Sequence, residues 1–260
     1  MGGDHKKQLM LEARGLHVQY GDYVVLDSVS FDLEEGQWLM IVGPNGAGKS
    51  TIVNAVSGGA PCTGEVLCLG RNIRSFKPHE LARHIGVLAQ KNAVGYSFTV
   101  REVIRLGRYA YSKGVFGGGD PGCEAAIDEA LRLTGLTELE NKSVLQLSGG
   151  ELQRVFLAQL FSQDPKIMIL DEPMNHLDLV YQKQLLGLVS DWLKTPGRAV
   201  ISVMHDLSLA KAFGTQVLLL QHGRVVADGP AGEVLTREHL SQVYGMDVHE
   251  WMNELLSQWS

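Results

Sequence analysis

The chain has 260 residues, 45% of them hydrophobic and 20% charged, with a formal net charge of −6. That length can bury a sizeable core, and the acidic balance excludes broad nonspecific nucleic-acid binding, which needs clustered positive charge. No apolar run approaches the ~20 residues of a membrane-spanning helix, and residues 1–8 lack the apolar core of a secretory signal, so the expectation is a cytosolic protein able to dock on a membrane partner.

Strands are predicted through the first third, at 9–12, 16–20, 29–33, 38–42, 65–69 and 85–89, separated by turn signals such as Gly21-Asp22 and Glu35-Gly36. Between the fourth and fifth strands lies Gly43-Pro44-Asn45-Gly46-Ala47-Gly48-Lys49-Ser50, followed by Thr51, which fits the phosphate-loop pattern G-x-x-x-x-G-K-[ST]. Its context is right: the apolar run 38–42 leads in as a buried strand, and 52–56 leads out as a helix. The glycines let backbone N–H groups turn inward around a polyphosphate, and the helix N-terminus adds partial positive charge at the same point. Lys49 would reach the β- and γ-phosphates, and Ser50 would offer its hydroxyl to Mg²⁺. The segment implies a nucleoside triphosphate ligand.

The middle third changes character. A helix is predicted over 99–108, with Thr99 as its cap and Val100, Val103 and Ile104 on one face, and a second over 123–133. Between them 114–122 reads as an exposed glycine-rich loop. The three cysteines, Cys62, Cys68 and Cys123, have no metal or redox spacing and are read as reduced and structural. After residue 165 the pattern alternates: strand 167–170, helix 180–193, strand 199–204, helix 207–213, strands 216–221 and 224–227. Such alternation builds a parallel sheet flanked by helices. The predicted fold is α/β: a P-loop NTPase core with an N-terminal antiparallel β subdomain and an inserted α-helical subdomain at about 91–146, all in one nucleotide-binding domain.

Two further segments carry chemistry. The strand 167–170 runs into Asp171 and Glu172, and ligands of open α/β sheets bind beyond the carboxyl ends of strands. Asp171 would hold Mg²⁺ through its water shell, and Glu172 would polarise an attacking water. Ser148-Gly149-Gly150 opens another helix, predicted over 151–161, and reads as a second anion site. One γ-phosphate does not need two helix N-termini from one subunit.

Taken in this order, the motifs resemble the ATP-binding-cassette family across essentially the whole chain. Leu147-Ser148-Gly149-Gly150-Glu151 looks like the family's signature sequence, which contacts ATP bound to the opposing subunit. The resemblance therefore implies a head-to-tail homodimer with two ATPs at its interface. It places Tyr20 as the aromatic that stacks on adenine and Gln90 as the glutamine that touches Mg²⁺ and water. Asn175-His176-Leu177-Asp178 is similar to the loop that crosses the dimer interface, and His205 to the histidine that contacts the γ-phosphate and braces the catalytic glutamate. Met174 departs from the hydroxyl residue often found there.

The resemblance also bears on the partner. A single cassette without membrane spans or a coiled-coil insertion is similar to the ATPase subunit of an importer, peripheral on the cytoplasmic membrane face. Its implied partners are a separate integral-membrane permease and, indirectly, an extracytoplasmic substrate-binding protein. The segments 103–109, 232–236 and 243–248 resemble importers of iron–siderophore, haem and cobalamin complexes. The alternative is a soluble ATPase of translation or cluster assembly. In the importer reading, the exposed face near Arg105 and Arg108 receives the permease. Trp251 and Trp259 are expected to pack on the core, the alternative being a dimer contact.

Overall fold

The computed structural model describes residues 8–90, 97–111, 120–175 and 177–259. The expected loop 114–122 enters this description only from Asp120; its earlier residues, the start of the expected helical subdomain and His176 lie outside the described residues. The chain divides into two units, residues 1–73 with 201–260 and residues 74–200.

The first unit begins with two long strands, β1 (Leu9–Tyr20) and β2 (Tyr23–Glu34), paired antiparallel. Alternation buries Leu11, Ala13, Leu16 and Val18 on one strand and Leu26, Val29, Phe31 and Leu33 on the other. The two strands expected at 9–12 and 16–20 are one. The polar Arg14-Gly15 break is a bulge, where the register shifts between Ala13 and Leu16 and the Gly15 N–H donates to Ser30 Oγ at 2.8 Å. A bulge absorbs an extra residue without ending the ladder. Next come β3 (Trp38–Val42), α1 (Lys49–Val56), β4 (Thr63–Cys68) and β5 (Arg71–Asn72). The antiparallel sheet has the order β2-β1-β4-β5.

The second unit holds α2 (Pro78–Leu81), β6 (Ile85–Leu88), α3 (Val100–Leu106), α4 (Cys123–Leu133), α5 (Gly149–Gln163), β7 (Ile167–Asp171) and α6 (Leu179–Leu193). β6 and β7 run parallel, from Ile85 opposite Ile167 to Leu88 opposite Leu170. The apolar faces of α3, α4 and α5 meet one another, burying Val103, Ile104, Ile127, Leu131, Val155 and Ala158. Thr99 caps α3 as the sequence predicts, in a reciprocal pair with Glu102. The helix is shorter than expected, because the chain tightens into a 3₁₀ turn from Gly107 to Tyr111.

β8 (Ala199–Val203) carries the chain back to the first unit, followed by α7 (Leu207–Phe213), β9 (Gln216–Gln221), β10 (Arg224–Pro230), α8 (Ala231–Val234), α9 (Arg237–Tyr244) and α10 (Val248–Ser257). Here β3 pairs parallel with β9, and β9 antiparallel with β10. All five residues of β3 are buried, as a strand covered on both faces requires. Trp38 Nε1 donates to Ser202 Oγ at 2.8 Å, which satisfies both polar groups inside that core. The expected packing of the late tryptophans is not observed: Trp251 is 48% exposed and Trp259 91%. Val248 is the buried position of α10 and Met252, one turn on, is half-buried, so Trp251 and Leu255 lie off that stripe. Among the described residues no helix is long and apolar enough to cross a membrane.

Candidate active site

In the first unit, β3 delivers its chain end into the glycine-rich loop and α1 leaves it. Gly43 and Gly48 are the two loop positions where a side chain would collide with its surroundings. Gly43 has φ 148°, and a Cβ there would lie 2.3 Å from the Leu220 carbonyl oxygen. Gly48, at the N-cap of α1, has φ 99°, and its Cβ would meet Leu26 Cδ2 at 2.7 Å. Both approaches need the hydrogen side chain. Lys49 is buried, and its Nζ donates to the carbonyls of Gly43 at 2.8 Å and Pro44 at 2.9 Å. Those bonds hold the ammonium inside the curl of its own loop. Asn45 and Gly46 form the exposed tip, Ala47 is buried, and Ser50 and Thr51 are half-buried on the first turn. A contact the sequence did not announce comes from α9. Burial pushes the Tyr244 phenol up, offset in part by a hydrogen bond to the backbone of Gly43.

Tyr20 ends β1 and is 55% exposed. His205 follows β8 and is also exposed, while its neighbour Asp206 caps α7 by accepting from the N–H groups of Ser208 and Leu209. All three cysteines are free, and burial pushes the Cys68 thiol up to about 11, which keeps it inert.

The second unit presents the carboxylates. β7 is buried throughout and ends on Asp171, itself only 6% exposed. Glu172 follows with φ 52°, a left-handed turn that takes its side chain out of the strand. Gln90 Nε2 donates to Glu172 Oε2 at 2.6 Å, and Asn175 Nδ2 donates to the same oxygen at 2.7 Å. The structure thus brings Gln90 and Glu172 together. It adds Asn175, which the sequence had placed only in the interface loop; its spacing of three from Glu172 around a turn was the available signal. Two amide donors on one oxygen fix the carboxylate's rotamer.

The signature segment is built as a helix cap. Ser148 is the N-cap of α5, its Oγ accepting from the Glu151 N–H at 3.3 Å, while Glu151 Oε2 accepts from the Ser148 N–H at 2.7 Å. That bond, with the one to the Ser148 hydroxyl, holds the Glu151 carboxyl below the usual carboxylate range. The helix starts at Gly149, two residues before the predicted Glu151, because Ser148 caps it. Ser148 and Gly149 are exposed and Gly150 half-exposed, so backbone rather than side chain lines this helix end. Asp178 has a local duty as well: it caps α6, its Oδ1 accepting the Tyr181 N–H at 3.0 Å.

One expectation about the α3 face needs correction. Arg105 is exposed, but Arg108 is not part of an exposed face. Its guanidinium donates to Asp120 Oδ2 at 2.7 Å and to the Ser162 carbonyl at 2.8 Å, and lies 3.9 Å from the centre of the Tyr111 ring. Arg108 braces the turn after α3. Phe98, Leu106 and Tyr109, with Glu102 and Arg105, line an open apolar groove of about 400 Å³.

Comparison with known proteins bears on the family. A family model described as ABC transporter matches residues 26–175. An uncharacterized ABC transporter ATP-binding protein of Bacillus subtilis (strain 168) is 38% identical over 92% of the chain, which spans 54% of that relative's length. The hemin import ATP-binding protein of Rhodococcus jostii (strain RHA1) is 40% identical over 92% of this chain and 80% of its own. For the ferric enterobactin transport ATP-binding protein of Escherichia coli (strain K12) the identity is 35%, over 91% of this chain and 87% of that one. A solved structure of the ATP binding subunit of an ABC transporter superposes with a TM-score of 0.78 at 25% identity, covering 95% of this chain and 99% of that one. The chain belongs to the ABC transporter family, as one of its ATP-hydrolysing subunits.

Proposed function

We propose that the chain powers the import of a metal chelate, as a homodimer docked on the cytoplasmic face of a membrane against separate permease subunits. The relatives named for hemin import and ferric enterobactin transport support that cargo class: a ferric siderophore or haem, with cobalamin as the third candidate. The observation that carries the chemistry is Glu172, fixed by two amides just beyond a fully buried strand.

The assigned roles follow from each residue's chemistry. Tyr20 stacks on adenine. The backbone of Gly43, Pro44, Asn45, Gly46, Ala47 and Gly48 cradles the phosphates with the first turn of α1, Ser50 and Thr51, and Lys49 exchanges its carbonyl partners for the β- and γ-oxygens. Ser148, Gly149 and Gly150 serve the γ-phosphate of an ATP held by a second copy, with Asp178 on the same interface. The Ser50 hydroxyl, the Asp171 carboxylate and the Gln90 amide oxygen are hard oxygen donors and fit Mg²⁺, which favours one or two carboxylates plus phosphates and water over an all-protein cage. Among the described residues no cluster of three His, Cys, Asp or Glu would form such a cage. The bound ion would neutralise charge on the phosphates. Glu172 orients a water and draws its proton as the water oxygen bonds to the γ-phosphorus and the bridge to ADP breaks. His205 contacts the γ-phosphate. Loss of that phosphate removes the charge gripped from both sides, and the dimer opens. The permease follows this two-state exchange.

The test is transport. Vesicles carrying the permease, this chain and the extracytoplasmic binding protein should take up one of the three cargoes only with ATP. Arg105→Glu, beside the apolar groove, should lower uptake more than about fivefold while the isolated chain hydrolyses ATP as before, since a rim charge governs docking. A chain that purifies at native levels without a membrane subunit, and whose ATPase answers to ribosomes or a soluble assembly partner, contradicts the reading.

A further inference from the structure

We propose that Tyr23 is a second base-stacking residue, forming with Tyr20 a two-ring platform that favours purine nucleotides. The inference rests on the assignment of Tyr20 to adenine. Tyr20 and Tyr23 stand directly opposite each other across the β1–β2 ladder, joined by the two-residue turn Gly21-Asp22. Residues so paired project from the same face of a sheet. Here that face is the inner one. On β1 it carries Leu16 and Val18, both buried, at steps of two before Tyr20. On β2 the buried Leu26 lies opposite Val18.

From Leu26 to Tyr23 is an odd number of steps, which in a regular strand would turn the tyrosine to the outer face. The register shift between Val18 and Gln19 prevents this: β2 carries one extra residue, Val25, and Tyr23 returns to the inner face. The apolar stripe therefore runs through Leu16, Val18 and Leu26 and ends on two tyrosines. Those two are left uncovered, at 55% and 68% exposure.

The phosphate loop lies beside the same stripe, since a Cβ on Gly48 would touch Leu26 Cδ2 at 2.7 Å. Three steps of strand lead from Leu26 to Tyr23, at most about 10 Å at the rise of an extended chain. A ribose and an α-phosphate bridge such a span between base and β-phosphate. Two bare aromatic rings at that distance suit a flat heterocycle. Stacking itself tolerates any base. Reaching both rings requires the larger bicyclic one, so Tyr23 adds size selection to Tyr20's grip.

Titrations of the full chain with Mg-ATP, Mg-CTP and inorganic tripolyphosphate test this. Tyr23→Ala should weaken ATP about tenfold, the scale of losing one stacked ring, with CTP changed about twofold or less. Tripolyphosphate should bind as to wild type, and Tyr23→Phe should retain ATP affinity. If Tyr20→Ala weakens ATP while Tyr23→Ala does not, the platform has one ring and the inference fails alone. If neither substitution weakens ATP, the base lies elsewhere and the assignment of Tyr20 fails with it. Equal losses for ATP and tripolyphosphate would mean damage to the phosphate loop, and would also overturn the proposal.

Discussion

Lys49 illustrates how a single residue can be ready for its ligand and still satisfied without it. Its buried ammonium donates to two carbonyls of its own loop, so nucleotide binding is an exchange of oxygen partners. Burying that cation bare would cost several kcal/mol. Lys49→Ala should abolish ATP binding in an equilibrium titration, because the phosphates lose their cation and the loop loses its brace. Gly48→Ala tests the backbone instead. Its φ of 99° and the 2.7 Å approach to Leu26 predict a loss of at least ~1–2 kcal/mol of stability, read by denaturant unfolding. The phosphate loop was fully legible in the sequence because its pattern is local: glycines, lysine and hydroxyl within nine positions. Asn175 and Tyr244 were not. Their partners, the Glu172 carboxylate and the Gly43 backbone, are set by a turn and by a helix arriving some two hundred residues later.

At the scale of elements, helix ends do double duty. The cap formed by Ser148 and Glu151 stabilises α5 and also shapes the exposed signature, so Ser148→Ala should cost about 1 kcal/mol of stability apart from any effect on hydrolysis. The Glu151 carboxyl is depressed, mainly by the Ser148 N–H. Its contribution is therefore complete above the ordinary carboxylate value and is lost as pH falls through the folded one. Unfolding of wild type and Glu151→Gln should differ at pH 7 and converge once the pH has fallen below the depressed carboxyl. A gap that widens on acidification would contradict the assignment.

Arg108 makes the same point about the turn after α3. Its side chain is 12% exposed and that of its partner Asp120 14%, so Arg108→Ala should destabilise by about 3 kcal/mol, while Arg105→Ala should stay within about 0.5 kcal/mol. The sequence marked both arginines as surface. Helical spacing shows which residues share a face; it does not show where a helix stops, and α3 stops at Leu106. For the same reason, the 9–12 and 16–20 segments read as two strands until the bulge at Gly15 joined them.

For the whole molecule, the proposed function puts two ATPs in a dimer that closes on them and reopens when they are hydrolysed. That cycle depends on Glu172 more than on any other side chain, since the remaining assigned groups bind nucleotide or position it. Glu172→Gln retains size and hydrogen bonding while removing the carboxylate that orients water. Hydrolysis should fall by ~10²–10⁴-fold. With binding intact and the exit step blocked, closed dimers should accumulate. Size-exclusion chromatography of the Glu172→Gln chain in Mg-ATP measures this directly. A shift from monomer to dimer is expected, one that Ser148→Arg abolishes when added to the same chain; a Glu172→Gln protein that stays monomeric and hydrolyses ATP at the wild-type rate would overturn the role given to Glu172.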